Sequence, residues 1–259
     1  MSRKRISARA ASVVAVVALV TVSAGAYFAQ SSSAVNASTA STSSSASSSG
    51  TVSTASKSTD KVKFGKTYKG IATSYDADGR GACSYSATSD VLVAAMNTVD
   101  YQGSLMCGAY VKVTASNGKS LRVKIVDLCP GDCKLHQLDL SRQALEKLAP
   151  GKGQINVSWK LVSPKLTGPV KYKYKEGSTK YWCGVQVRNH RNPIRTIEVK
   201  TSSGWFKLTR RDYNYFESAT GKGCGNTIRI TDVQGNRLVD KGIKISTSVQ
   251  KGKKQLPAA

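Results

Sequence analysis

The chain has 259 residues and a formal net charge of +24 at pH 7, with 39 Lys and Arg against 15 Asp and Glu. This length allows one large domain or two of ordinary size. Such a charge excess favours solubility and loose adhesion to polyanions.

The first 63 residues are predicted to lie outside the folded part. Residues 1–26 combine a basic start, an apolar run too short to span a membrane and the small residues Ala24-Gly25-Ala26, which indicates a signal peptide. An uncleaved anchor is the alternative. Residues 27–63 are rich in Ser, Ala and Thr and are predicted to be a disordered linker. Both alternatives place the rest of the chain outside the cytoplasm, where its polyanionic partners are wall polymers and not nucleic acid. The signal-peptide interpretation predicts a secreted protein without stable membrane association.

The remaining chain is predicted to form two domains, 64–162 and 163–250, followed by a basic tail, 251–259. The boundary is placed where two prolines and a glycine follow an apolar strand, Ile155–Val162. From Ser163 onward the chain has 20 basic and 6 acidic residues, so the second domain and tail carry most of the charge.

The first domain alternates apolar and polar residues, as expected for strands, in GIATSY and in GAYVKVTASNGKSLRVKIVDL. Asn117-Gly118 predicts a two-residue hairpin inside the second segment. Ser141–Ala149 is predicted as a helix capped by Ser141, and SDVLVAAMN as a second, shorter helix. Many strands with few helices predict a small barrel.

The second domain is predicted to be an antiparallel β-sandwich. The segments CGVQVRN, IRTIEVK, WFKLTR and IRITDV alternate apolar and polar residues, with a turn at residues 202–204. Trp205 begins one of these strands and is assigned to the core or its margin.

The loop VDLCPGDCKLHQLDL raises the question of a metal site, since Cys129, Cys133 and His136 are possible zinc ligands. The chain has six cysteines and 2 histidines. An exported chain with an even cysteine count favours a small disulfide loop, so no metal and no cofactor is predicted. His136 is then expected to be an exposed loop residue.

Two carboxylates flank this loop. Asp127 ends an apolar strand, and Asp139 precedes the Ser141 helix, where it can assist capping. Two carboxylates beside one groove are also what glycoside hydrolases use. Structural and functional roles therefore both remain open for Asp139.

Motifs in family order through both domains resemble expansins. The first domain resembles theirs in GIATSY, GACSY, CGAYVKV, VDLCPGDC, LDLS and INVSWKLV. The second resembles that of bacterial expansin-like proteins in YKYKEGSTKYWCGVQVRNHRNPI and RDYNYF. The resemblance covers about residues 64–245.

This resemblance implies an all-β fold, a six-stranded double-psi β-barrel followed by an immunoglobulin-like β-sandwich that binds carbohydrate. It implies a monomer that binds cellulose, hemicellulose and acidic wall polymers such as pectin or peptidoglycan-associated polymers. It also implies that these polymers are loosened without hydrolysis. By position, Thr73, Asp127 and Asp139 match the family's groove residues, and Lys175, Tyr181, Trp182 and Tyr213 match its binding face.

One departure concerns Cys129, which stands where many bacterial members carry an aromatic residue. Stacking in the groove then has to come from elsewhere, with Tyr75 or Tyr85 as candidates. The cysteines are expected to pair as Cys83–Cys107, Cys129–Cys133 and Cys183–Cys224, since the first two bridges stay within the barrel and the third lies within the sandwich.

The barrel also resembles inverting endoglucanases, which need a general acid and a general base. Those enzymes carry the base in a pattern like T-x-Y-x-D, and here Ala77 holds the base position. Asp76 and Asp78 are each one residue out of register, and on a strand that shift reverses the side chain's face. We therefore expect no efficient hydrolysis. A weak endoglucanase, or a peptidoglycan lytic transglycosylase that needs only an acid, remains the alternative.

Overall fold

The computed structural model describes residues 61–129 and 131–259, which lie within one compact unit, Ser56–Ala259. The predicted signal peptide and nearly all of the predicted linker fall outside these residues. Among the residues described, no helix combines the length and the apolar character that a membrane crossing requires.

A closed barrel forms the first part of the described chain. Its strands are β1 (Thr67–Tyr75), β2 (Val93–Asn97), β3 (Tyr110–Ala115), β4 (Ser120–Cys129), β5 (Leu138–Ser141) and β6 (Ile155–Val162). They are hydrogen-bonded in the order β1-β5-β2-β4-β3-β6, with β1–β5 and β2–β4 parallel and the other pairs antiparallel. Closure leaves the barrel without a free sheet edge. The predicted hairpin joins β3 to β4, with Gly118 at φ +82°.

Two short helices accompany the barrel, α1 (Thr98–Tyr101) and α2 (Arg142–Leu148). Ser141 caps α2, since its Oγ accepts a hydrogen bond from the amide of Ala144. Leu145 and Leu148 turn the buried face of α2 into the barrel core. The helix predicted at Ser141 is therefore confirmed, and its cap is Ser141 and not Asp139.

The helix predicted for SDVLVAAMN is wrong, because Val93–Asn97 forms strand β2. All five of its residues are buried, and β2 lies between β4 and β5 in the barrel. A short strand buried on both sides has no alternation, and its run of apolar residues resembles a buried helix segment. Only α1, which begins after Asn97, is helical here.

His136 is not the exposed loop residue that was expected. Its side chain is 28% exposed, and its Nδ1 lies 2.8 Å from Oδ2 of the buried Asp100. The ring also packs 5.0 Å from Tyr68 and 6.2 Å from Trp159, whose Nε1 donates to the His136 carbonyl. The loop therefore folds back onto the barrel core.

The second part consists of two sheets built from nine strands. These are β7 (Lys171–Tyr174), β8 (Cys183–Arg188), β9 (Ile194–Thr201), β10 (Gly204–Lys207), β11 (Thr209–Arg210), β12 (Phe216–Ser218), β13 (Asn226–Asp232), β14 (Arg237–Ile243) and β15 (Gln250–Lys251). The four-stranded sheet has the order β10-β9-β13-β14, and the five-stranded sheet has the order β11-β12-β8-β7-β15. Tyr172 and Val185 of one sheet share a core with Ile197 and Ile228 of the other, so the predicted sandwich is confirmed.

Trp205 lies on the outer surface of the four-stranded sheet and not in the core. It pairs with Lys200, and its neighbours Val199 and Leu208 are the residues that point inward. The Arg229 guanidinium lies 4.2 Å from its ring centre, and the Lys200 ammonium 5.6 Å. Because two cations cover its ring, Trp205 is only partly exposed although it points outward.

Three disulfides link the six cysteines: Cys83–Cys107, Cys129–Cys133 and Cys183–Cys224. These are the expected pairs. The first two lie within the barrel, and the third joins the start of β8 to the loop before β13.

Replacing both Cys183 and Cys224 with Ala should lower the free energy of unfolding by about 3–4 kcal/mol, because the closed loop spans 41 residues. Replacing Cys129 and Cys133, which are 4 residues apart, should cost only about 2 kcal/mol by the same entropy argument. Urea unfolding of the two double variants measures both values. Equal losses would contradict the loop-length explanation.

The barrel contacts the outer face of the five-stranded sheet through a buried polar network. The carbonyl of Cys83 accepts hydrogen bonds from the side chains of Gln186 and Asn214, at 2.9 and 3.1 Å. Tyr101 donates to the carbonyl of Asp212. A side chain at Gly108 would collide with the Tyr85 hydroxyl and the buried His190 ring, so the close contact requires glycine. These bonds fix the barrel groove beside the sheet.

Candidate functional site

Thr73, Asp139 and Asp127 lie in one row across the barrel. Thr73 on β1 pairs with Asp139 on β5, Asp139 pairs with Ala95 on β2, and Ala95 pairs with Asp127 on β4. The two aspartates are thus two strands apart, which places their Cα atoms about 10 Å apart. The barrel therefore brings together all three groove residues predicted from the sequence.

Asp139 is the carboxyl group of this row whose pKa is raised. Its Oδ1 accepts a 2.7 Å hydrogen bond from Thr73 Oγ1, which in turn accepts from Gln137 Nε2. Partial burial raises the pKa of Asp139 above its ordinary value, the Thr73 bond partly offsets this, and the nearby Asp127 charge raises it further. A carboxyl group with a raised pKa is suited to act as a proton donor.

Asp127 is held by backbone amides. Its Oδ1 accepts hydrogen bonds from the amides of Ala82, at 2.6 Å, and Leu128, at 2.8 Å. Gly81 lies directly against the carboxyl group, and a side chain there would overlap it. Asp127 thereby fixes the 81–83 loop.

Gly81→Ala should lower the free energy of unfolding by about 2–3 kcal/mol and displace the Asp127 carboxylate, because its Cβ would occupy the carboxylate's place. Gly118→Ala is the matched control, since Gly118 also has a positive φ but nothing lies near its Cβ position. Chemical denaturation of both variants separates collision from backbone strain. If both variants lose the same free energy of unfolding, Gly81 is required only for its own backbone conformation and not for the position of Asp127.

The two tyrosines proposed for stacking in the groove differ. Tyr75 is half-buried beside the row, and burial together with the charges of Asp127 and Asp139 raises its pKa. Its hydroxyl is buried and has no hydrogen-bond partner among the described atoms. Tyr85 is only 8% exposed and packs at the contact with the five-stranded sheet, so it presents no ring to the groove.

The acidic residues near the base position point to other partners. Asp76 forms an exposed ion pair with Arg142, and Asp78 forms one with Arg80. Ala77 packs against the barrel core. Neither Asp76 nor Asp78 therefore joins the row of Asp127 and Asp139.

A shallow depression of about 820 Å³ lies on the outer face of the five-stranded sheet. It is lined by Ser84 of the barrel and by Lys173, Lys175, Glu176, Tyr213, Tyr215 and Thr247. The rings of Tyr213 and Tyr215 are 6.0 Å apart and inclined by 47°. Two of the predicted binding residues, Lys175 and Tyr213, are brought together here.

A buried carboxylate holds Tyr213 in this depression. The Tyr213 hydroxyl donates to Glu217, and Arg211 Nε donates to the other carboxylate oxygen at 2.7 Å. The hydrogen bond to Glu217 raises the pKa of Tyr213 to about 12. The ring is thus fixed by its polar end while one face stays accessible.

Tyr181 and Trp182 lie in the turn that precedes β8, not on a regular strand. Thr179 ties this turn together, since its amide donates to the Trp182 carbonyl at 2.6 Å and its Oγ1 accepts from the Tyr181 amide. Tyr181 is 71% exposed and Trp182 is half-buried. Neither lines the depression of Tyr213, so the four residues matched to the family's binding face lie in two places.

Sequence reasoning missed Tyr215, Ser84 and Lys173. Tyr215 is two residues after Tyr213, and this spacing places two side chains on one face of an extended segment. The alternation Lys171, Lys173, Lys175 carries the same signal. Ser84 had no such signal, because it reaches the depression only through the contact between barrel and sheet.

The zinc alternative is not supported by the loop geometry. Cys129 and Cys133 form a disulfide, so neither supplies a thiolate. Across residues 61–129 and 131–259, no three His, Cys, Asp or Glu side chains lie in an arrangement that could hold a metal ion.

Comparisons with known proteins agree with this architecture. Residues 67–159 match the family model described as lytic transglycolase. Expansin-YoaJ of Bacillus subtilis is 36% identical over 166 residues, covering 62% of this chain and 70% of its own. The crystal structure of apo Clavibacter michiganensis expansin superposes with a TM-score of 0.68 at 32% identity, covering 73% of this chain and 98% of that one. An aspartate-to-asparagine variant of that expansin, in complex with cellohexaose, matches equally well at 31% identity.

A closed six-stranded mixed barrel of the double-psi type followed by a β-sandwich is the architecture that these proteins share. The chain belongs to the expansin family and is a bacterial expansin-like protein.

Proposed function

We propose that the protein binds cellulose and related cell-wall polysaccharides outside the cell and loosens them without hydrolysis. The observation that carries this proposal is the continuity of two surfaces. The Asp127 carboxylate binds the 81–83 segment, and the next residue, Ser84, lines the depression of Tyr213. An extended glycan chain can therefore follow one path from the barrel groove onto the sheet.

The depression suits sugar rings. The apolar faces of glucose pack on aromatic rings, and Tyr213 and Tyr215 supply two rings in a shallow, open surface. Lys173 and Lys175 border the same surface and provide hydrogen-bond donors for hydroxyl groups. The solved complex of the Clavibacter relative with cellohexaose supports a cellulose-type ligand. Hemicellulose, pectin and peptidoglycan-associated polymers are proposed as additional partners of a monomeric protein.

The absence of hydrolysis is argued from the carboxylates. Asp139 has the raised pKa of an acid, but an inverting enzyme also needs a base that activates water. Ala77 occupies the corresponding position, and Asp76 and Asp78 are engaged in surface ion pairs. The barrel is thus equipped to hold and polarise a glycosidic bond without delivering water to it.

A lytic transglycosylase acting on peptidoglycan is the second candidate. This reaction requires an acid and no activated water, so the raised pKa of Asp139 favours it over an endoglucanase.

A sedimentation assay with crystalline cellulose, pectin and peptidoglycan, at low and high salt and with sugar release measured in parallel, tests the proposal. We expect salt-resistant binding to cellulose and salt-sensitive binding to the acidic polymers, because screening removes long-range charge attraction. Release of anhydromuropeptides would favour the transglycosylase. Failure to bind cellulose at either salt concentration would refute the proposed function.

A further inference from the structure

A second cavity, of about 310 Å³, lies where the barrel meets the five-stranded sheet. The barrel contributes Tyr85, Tyr110 and Lys124 to its wall, and the sheet contributes Lys171 and Arg188. Only a short loop separates it from the Tyr213 depression, since Ser84 lines the depression and the next two residues line the cavity. Lys171 and Lys173 connect the two on the same face of β7.

Lys124 in this cavity is largely buried, and Asp90 is the acidic residue whose charge acts on it. Its side chain leaves β4 between the buried residues Val123 and Ile125, and its ammonium lies 4.1 Å from the ring centre of Tyr85. Among the described residues it forms no ion pair and no side-chain hydrogen bond. Burial, reinforced by the charge of Arg188 and partly offset by that of Asp90, lowers the pKa of Lys124 to about 8. An ammonium held in this way is stabilised by any anion that reaches it.

The remaining polar groups favour an anionic ligand. Arg188 is already engaged, since it donates to Gln186 Oε1 and to the Ser84 carbonyl. Lys124 and Lys171 therefore supply the N–H donors that face the cavity. Asp90 is the one carboxylate among the lining residues. Three cations against one carboxylate give the cavity a positive potential.

Apolar side chains form another part of the wall, beside the polar residues Ser86, Thr88 and Asn189. Val93, Val126 and Val249 line it together with the rings of Tyr85 and Tyr110. A bare inorganic anion would leave these groups unused. A sugar ring that carries a carboxylate contacts both parts of the cavity wall. Its apolar face packs on the aromatic and valine side chains, and its charge lies against the lysines.

We propose that this cavity is a binding site for a uronic acid unit of an acidic polysaccharide, with Lys124 and Lys171 contacting the carboxylate and Tyr110 packing against the sugar ring. The site is separate from the aspartate row and from the Tyr213 depression. It rests on the proposed function only in taking the polymer to be a polysaccharide. A chain that follows the depression would place a carboxylated neighbour in the cavity.

Isothermal titration with trigalacturonate tests the site, with cellohexaose titrated in parallel to report on the depression. Lys124→Met keeps the apolar stem and removes the ammonium, so it should weaken trigalacturonate binding about tenfold or more, as for a lost charge-assisted hydrogen bond. Lys119→Met, at the exposed β3–β4 turn, is the matched control with the same change in net charge and should alter affinity less than about twofold. Asp90→Asn should strengthen binding. Cellohexaose affinity should be unchanged in all three variants.

Acetylation of lysines, followed by mass spectrometry, locates the ligand. Trigalacturonate should protect Lys124 and Lys171 but not Lys119, and half-molar salt should not abolish this protection. Acetate and inorganic phosphate, tested at equal concentration, should protect weakly because they lack the ring. Equal losses of affinity in the Lys124 and Lys119 variants, or protection by phosphate as strong as by trigalacturonate, would overturn the proposal. Loss of cellohexaose binding alone would instead count against the proposed function and leave the cavity standing.

Discussion

Asp139→Asn should abolish wall loosening while leaving cellulose binding nearly unchanged. The asparagine oxygen still accepts the hydrogen bond from Thr73, so the geometry of the row is kept, but the group no longer holds a transferable proton or a charge. The aromatic rings and most of the positive charge lie in the sandwich and are untouched. Extension of cellulosic strips under constant load measures loosening, and sedimentation measures binding.

The same variant separates a functional role from a structural one. Ser141, not Asp139, caps α2, so Asp139→Asn should not cost the roughly 1 kcal/mol of a lost cap. A carboxyl group whose pKa is raised on folding destabilises the folded state once it ionises, so the wild type should lose stability relative to the variant as pH rises above about 4. A variant that is less stable yet still loosens walls would assign Asp139 a purely structural role.

Tyr213→Ala should weaken binding to pure cellulose about tenfold, with little dependence on salt, because it removes a ring from the floor of the depression. Tyr213→Phe is the matched control, since it keeps the ring and removes only the hydroxyl that donates to Glu217. We expect the Phe variant to retain most of the affinity. Sedimentation with crystalline cellulose at low and high salt gives both values.

Trp182→Ala extends this experiment to the second aromatic location. Trp182 lies in the turn before β8 and does not line the depression, so its effect should add to that of Tyr213→Ala if both locations contact one glycan. Thermal unfolding checks that the domain remains folded. If Tyr213→Ala and Tyr213→Phe lose equal affinity, the hydroxyl and not the ring is what the ligand requires.

Much of the fold could be predicted from local patterns. Alternation identified β3, β4, β8, β9 and β13, and Asn117-Gly118 identified the hairpin, because alternating sequences and two-residue turns are strong local signals. Strand β2 was wrongly predicted as a helix because a strand buried on both faces shows no alternation. The prediction for Trp205 was wrong because two cations from neighbouring strands cover its ring, and only the sheet register brings them together.

The residues of the candidate site could be predicted where the resemblance to expansins supplied their positions. They could not be predicted where contacts between distant parts of the chain determine which residues lie together. Thr73, Asp127 and Asp139 lie in one row, although 66 residues separate the first from the last. Their alignment depends on barrel register, which no local pattern encodes. Tyr85 looked like a groove residue from its motif, but the contact with the five-stranded sheet buries it. The exposed fraction of Lys124 depends on the same contact.

The most direct test of the account is wall extension under load, with new reducing ends counted in the same sample. We predict that the protein extends cellulosic material while reducing ends stay at the level of the no-protein control, and that Asp139→Asn abolishes the extension. Extension that rises in proportion to new reducing ends would contradict it and make the barrel a glycanase.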